Sequence, residues 1–196
     1  AIINGDKRTG VTTFLLNHEI DKGAIIEQRE VDILPEDNIG TLYDRLMTVG
    51  AELVTETVDK LASGSYETIE QMHIDESTLR PAPKIFKEDG RIEWRDSITA
   101  IHNKVRGLSP YPAAWTPIFK GGEECGSAKI FTTHIEPQSI SVAPGTLRSD
   151  GRSYLAVAAS DGWVYIDELQ LAGKRRMAIK ELLLGWRDYA EVSFSL

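Results

Sequence analysis

Two kinds of hydrophobic pattern follow one another along the chain. Thr9 to Leu16 (Thr-Gly-Val-Thr-Thr-Phe-Leu-Leu) is β-branched and almost continuously apolar, which predicts a buried strand. Ala24 to Val31 predicts a second strand, and Asn17 to Gly23 joins the two through a tight turn at Asp21-Lys22-Gly23. From Thr41 to Ser63 the period becomes helical, with Leu42, Leu46, Val49, Leu53, Val54, Val58 and Leu61 as the apolar stripe. Thr41-Leu42-Tyr43-Asp44 reads as a capping box and Gly64 as the stop, while Asp44, Glu52, Glu56 and Asp59 form a solvated face. The density of apolar residues from Val11 to Leu16 suits a strand covered on both sides, as in a larger sheet. Without such cover, Val11, Phe14 and Leu16 would be exposed.

Beyond Arg80-Pro81-Ala82-Pro83-Lys84, which reads as the start of a linker, the pattern shortens. Ser97 is placed to cap a helix from Ile98 to Arg106, with Ile98, Ile101 and Val105 as its apolar stripe and Gly107 as its end. Five strand patterns follow: Ala114 to Phe119, Ala128 to Ile135, Gly145 to Arg148, Tyr154 to Ala158 and Trp163 to Leu171. Lys120-Gly121-Gly122, Ser149-Asp150-Gly151 and Asp161-Gly162 supply turns between them. Five short strands at this spacing predict a small antiparallel barrel, and five is the strand count of the OB-fold. A last helix is expected from Ala178 to Leu184, stopped by Gly185, and Val192 to Leu196 reads as a short tail.

Composition adds limits. The chain has 196 residues, 41% of them hydrophobic, enough for a core. One cysteine, Cys125, excludes a disulfide scaffold and fits a reducing, cytoplasmic setting. No apolar run approaches the roughly 18 residues of a membrane span, and no signal peptide pattern opens the chain. Ala1-Ile2-Ile3-Asn4-Gly5 lacks an initiator Met and looks like the last turn of a helix with its terminal glycine, so a longer protein is expected upstream. The formal net charge of −8 argues against nucleic acid as a partner, but only if charge is spread evenly. It is not: 8 basic and 16 acidic residues lie up to Lys84, and 14 of each follow from Ile85.

Candidate chemistry is sparse. His18, His73, His102 and His134 are scattered and do not make a metal-binding spacing with the lone cysteine. His102 lies off its helix's apolar stripe and reads as a surface residue. His18-Glu19-Ile20-Asp21 crowds an imidazole and two acids at one strand end, where a carboxylate can orient a catalytic partner or accept a proton. A plain structural turn accounts for the same residues. Lys174-Arg175-Arg176, with Lys180, Lys104, Arg106, Lys84 and Lys87, forms local basic clusters. They fit either a solvated surface or the basic rim of a nucleic-acid-binding barrel.

The motifs together resemble the methionyl-tRNA formyltransferase family over nearly the whole chain. The matching pieces occur in the family's order: Gly10-Val11-Thr12, Ile20-Asp21-Lys22-Gly23-Ala24-Ile25 and Gly40-Thr41-Leu42-Tyr43-Asp44-Arg45-Leu46. Then come Ala82 to Trp94, Arg106-Gly107-Leu108-Ser109-Pro110-Tyr111-Pro112-Ala113-Ala114-Trp115, Gln170 to Lys174 and Leu182 to Gly185. The resemblance implies an α/β remnant of a Rossmann-like formyltransferase domain in residues 1–80 and a linker in 81–92. A mainly antiparallel OB-like β-barrel domain that holds tRNA would follow in 93–196. It implies transfer of a formyl group from 10-formyltetrahydrofolate to the amino group of initiator methionyl-tRNA. Asp21 matches the family's catalytic Asp, and Asn17, His18, Glu19 and Ile20 match the stretch lining the folate site. Lys84, Lys87, Lys174, Arg175 and Arg176 are the tRNA-binding candidates. The family's catalytic Asn and His have no counterpart in this chain, so the chain alone is expected to be inactive. A sugar-nucleotide formyltransferase, a formyltetrahydrofolate hydrolase and a non-catalytic RNA-binding module remain alternatives.

Overall fold

The structure, a computed structural model, describes residues 1–71, 80–186 and 188–195; His73 and Leu196 lie outside them. It divides into two compact units, one of Asp6–Asp37 and Thr41–Lys84, the other of Ala1–Gly5, Asn38–Gly40 and Ile85–Leu196.

In the first unit, β1 (Arg8–Phe14) and β2 (Ile25–Asp32) form an antiparallel hairpin in register from Arg8↔Asp32 to Phe14↔Ile25. Helix α1 (Ile39–Ser63) lies along it, with Leu42, Leu53 and Thr57 buried. Thr13 and Thr57 share a hydroxyl hydrogen bond of 2.9 Å, and Arg29–Glu56 (2.6 Å) and Lys60–Glu27 (2.5 Å) tie the same surfaces. The expected stripe proves to be two. Leu42, Leu46, Val49 and Leu53 face inward and continue to Thr57, whereas Val54 and Val58 are more than half exposed beside exposed Tyr43 and Met47. These sets sit about one residue's 100° rotation apart, so a count of apolar spacings merges them. Glu52 and Glu56, expected on a purely solvated face, lie beside Arg29 of the hairpin. The strand expected in a larger sheet pairs, among the described residues, with β2 alone; of the three residues expected to be exposed, Leu16 is 90% exposed, whereas Val11 and Phe14 are half buried.

The capping box at Thr41 does not form, because α1 begins two residues earlier. Asp37 organises this end instead. Its carboxylate accepts from the Leu34 N–H (2.7 Å), from the Thr41 hydroxyl (3.0 Å) and from both terminal nitrogens of Arg45. Arg45's hydrogen bonds hold the buried Asp37 carboxyl below the usual carboxylate range, against the opposing effect of burial. A depressed folded-state value stabilises the unit above the unfolded value of roughly 3.9, and that contribution is lost as pH falls through the folded value. Urea unfolding midpoints should therefore fall between pH 7 and pH 3 by more in the native chain than in Asp37→Asn. An equal drop in both would remove Asp37 from the account.

The second unit is a nearly closed antiparallel sheet in the order β5-β6-β7-β4-β3-β9, with β8 paired to β7. Its strands are β3 (Ala114–Lys120), β4 (Glu123–Pro137), β5 (Leu147–Ser149), β6 (Leu155–Ala158), β7 (Gly162–Leu171), β8 (Met177–Ala178) and β9 (Val192–Ser193). A bridge between Thr146, just before β5, and Ser193 of β9 brings the two edges together. Among the described residues seven strands stand where five were expected, because two-residue strands carry no alternation to read. Helix α2 (Ile98–Leu108) buries Ile98, Ile101, Val105 and Leu108, and Ser97 Oγ caps it by accepting from the Ala100 N–H at 3.2 Å. It runs through Gly107 rather than ending there. A Cβ at Gly107 would stand 2.4 Å from the Ile3 side chain, so glycine there admits the 3-10 turn Ile2–Asn4. That turn ends at Gly5 in the left-handed conformation, as its sequence predicts.

Helix α3 (Ile179–Gly185) adds Ile179, Leu182 and Leu183 to the core, and Gly185 is its last residue rather than its stop. The expected tail is also core: Phe194 is 1% exposed. His102, expected at the surface, is half buried with Nδ1 2.9 Å from Thr133 Oγ1. Burial, then nearby Arg106, holds its imidazole below the usual value and favours the neutral ring. No helix among the described residues is long and apolar enough to cross a membrane.

Candidate functional site

The loop between β1 and β2 is built from its backbone outward. Leu15 N–H donates to Ala24 O at 2.9 Å and closes its base. Gly23 must lack a side chain, since a Cβ there would lie 1.5 Å from Leu15 O. Asn17 braces the interior: its Oδ1 accepts from Glu19 N–H (2.9 Å) and its Nδ2 donates to Lys22 O (3.2 Å). Gln71 Nε2 donates to both Asp21 O (3.1 Å) and Gly23 O (2.6 Å).

Asp21 itself has φ of 58°, a left-handed conformation that Asp tolerates better than most residues. Its backbone is thus held while its side chain remains exposed. Leu16 and Ile20, 90% and 89% exposed, place bare apolar surface on the same loop. Glu19 pairs with Lys22 at 3.2 Å, and His18 is exposed. The crowded acids and imidazole therefore do not form a dyad with one another; the loop presents a separate carboxylate. Gln71 escapes sequence reading because a lone polar residue 50 positions downstream carries no pattern.

The basic candidates are dispersed. Lys84 is exposed in the first unit and Lys87 lies in the second, with its Nζ 5.4 Å from the Trp115 ring centroid. Lys174, Arg175 and Arg176 occupy the connection between β7 and β8. Arg175 pairs with Glu181 at 3.2 Å, and Arg176 with Glu168 while lying over the Phe131 ring at 4.2 Å. Two of the three charges thus have acid partners, six and eight residues away along the chain. Among the described residues no cluster of three or more His, Cys, Asp or Glu is arranged to hold a metal.

Two family models match: "Formyl transferase" over residues 1–58 and "Formyl transferase, C-terminal domain" over residues 84–187. The chain belongs to the formyl transferase family. A protein named methionyl-tRNA formyltransferase from Parabacteroides distasonis is 46% identical over 193 residues, covering 97% of this chain and 60% of its own length. One of the same name from Flavobacterium johnsoniae is 40% identical, covering 98% of this chain and 60% of its own. This formyl transferase chain therefore spans about 60% of the length of those relatives. Among solved structures, HypX from Aquifex aeolicus aligns over 95% of this chain and 32% of its own, with TM-score 0.65 and 21% identity. An N-formyltransferase from Helicobacter canadensis, in complex with folinic acid and dTDP-3-aminofucose, aligns over 90% and 58%, with TM-score 0.60 and 19% identity. These two likenesses concern the fold.

Proposed function

We propose that the whole protein transfers a formyl group from 10-formyltetrahydrofolate to the amino group of initiator methionyl-tRNA, in the cytoplasm. The observation that carries this reading is the 46% identity, over 97% of the chain, to a relative bearing that name. Residues 1–80 would be the end of a Rossmann-like catalytic domain. Residues 81–92 would be the linker, and residues 93–196 an OB-like barrel on the tRNA side.

In this reading the amine nitrogen attacks the formyl carbon. The bond from that carbon to N10 of the folate breaks, and the amine's proton ends on N10. Asp21 acts as a positioning residue: its carboxylate orients and charge-balances an imidazole supplied from outside this chain. Asn17, His18, Glu19 and Ile20 line the pterin. The exposed apolar surface of Leu16 and Ile20 beside polar Asn17 fits a flat, partly apolar heterocycle. Lys84, Lys87, Lys174, Arg175 and Arg176 contact tRNA phosphates, with little sequence preference and a steep dependence on salt. Arg175 and Arg176 contribute less than Lys174, since each already faces a glutamate.

The test is a formylation assay on the full-length protein, offered 10-formyltetrahydrofolate with either methionyl-tRNA or a nucleotide-linked amino sugar. Formyl-methionyl-tRNA is the expected product, and the 196-residue chain alone should give none. Formylation of the sugar, or hydrolysis of the donor without any acceptor, would overturn the assignment.

A further inference from the structure

Tyr111, within the Ser109-Pro110-Tyr111-Pro112 stretch, has no part in the chemistry above, yet it is 82% exposed. It lines a cleft of about 450 Å³ in the barrel unit, together with Phe86, Lys87, Trp115 and Lys129. That volume lies within the range of small-ligand sites. Phe86 is 59% exposed, so two large aromatic rings stand out from the surface instead of packing in the core. Trp115 of β3 also lines the cleft, and its Nε1 donates to Lys87 O at 2.7 Å. Lys87 Nζ hovers 5.4 Å from the Trp115 ring, and Lys129 Nζ is 3.4 Å from Pro112 O. Ser127 and the Glu124 carboxylate also line the cleft.

Exposed aromatic faces bordered by two ammonium groups match one chemistry closely, a flat base carrying a phosphate. We propose that this cleft is a stacking site for an unpaired nucleotide of RNA, with Tyr111 and Phe86 taking the base and Lys87 and Lys129 the phosphate. The inference rests on RNA being the partner, and it adds two residues that basic clustering does not reveal. A proline-rich peptide also docks on exposed aromatics, but it offers nothing for two lysines. Bases inside a duplex are stacked on one another and cannot reach the rings, so single strands should be preferred.

The test titrates the 196-residue chain, at low and moderate salt, with a labelled single-stranded RNA tetranucleotide and with a blunt RNA duplex. The single strand should bind more tightly. Tyr111→Ala and Phe86→Ala should each weaken it roughly 5- to 150-fold, the range that one stacked base supplies, while leaving duplex binding unchanged. Both side chains are exposed, so neither substitution threatens the fold. Equal binding of strand and duplex, no binding of either, or a single-strand affinity untouched by Tyr111→Ala would overturn the proposal. So would displacement of the RNA by a proline-rich peptide. The RNA carries no methionine and no formyl donor is added, so the result is independent of whether the full-length protein formylates methionyl-tRNA.

Discussion

Asp21→Asn in the full-length protein is expected to lower kcat by roughly 10²- to 10⁴-fold, the range that positioned proton-transfer groups contribute, with little change in KM for either substrate. The amide is nearly isosteric, and the loop does not depend on the carboxylate for its shape. Gln71 holds the Asp21 carbonyl, Asn17 braces the turn and Gly23 lets Leu15 approach. Asn also tolerates the left-handed backbone at φ 58°. What the substitution removes is charge. A carboxylate beside an imidazole raises the imidazole's pKa, so its removal should move the acid limb of the kcat–pH profile to lower pH. A merely structural role would leave that limb in place. Asp21→Glu, which restores charge but displaces it by one methylene, should recover part of the loss. Full activity in Asp21→Asn, or a fall in rate with no movement of the profile, would exclude the role assigned to it.

How much of this was legible in the sequence depends on whether the cause was local. Helix α2 was visible because Ser97 and the Ile98, Ile101, Val105 stripe lie within two turns of each other. The hairpin strands were visible because β-branched residues are concentrated on either side of a turn. The loop that carries Asp21 is legible as a turn, but its left-handed residue is Asp21 rather than Gly23, whose glycine is required instead by the approach of Leu15 O. The loop's brace from Gln71 is not legible, because that contact crosses 48 to 50 residues. The same holds for the Phe131 ring beneath Arg176 and for the burial of His102 against Thr133. A basic cluster or an off-stripe histidine is read from neighbours in sequence, whereas its environment is set by strands that arrive from elsewhere. The aromatic cleft shows the same limit: Phe86, Tyr111 and Lys129 come from three separate segments.

Phe194 is where that limit has its largest energetic consequence. Five residues at the end of a chain read as a tail, yet Phe194→Ala is expected to destabilise the barrel unit by about 3–5 kcal/mol, as for other fully buried aromatics. The ring sits 5.9 Å from that of Trp94 and is 1% exposed. Its backbone is held on both sides: Phe194 N–H donates to Gly145 O at 2.9 Å, and Thr116 Oγ1 donates to Phe194 O at 3.3 Å. Thr116 in turn accepts from Trp94 Nε1 at 2.9 Å, so the ring, the indole and β3 form one connected group. Strand β9, which delivers the ring, pairs with β3 through two residue pairs, Phe119↔Ser193 and Lys120↔Val192. So short a ladder cannot hold the segment without the side chain beneath it. Loss of the ring should therefore free β9 and open the seam where Ser193 meets Thr146. At roughly 3–6 °C per kcal/mol for a unit of this size, the melting temperature should fall by on the order of 10–30 °C. Amide protection should be lost first along β3 and around Gly145. Leu184→Ala, at a side chain 72% exposed, is the matched control and should change little. A shift for Phe194→Ala no larger than the control's would return the segment to the status of a tail.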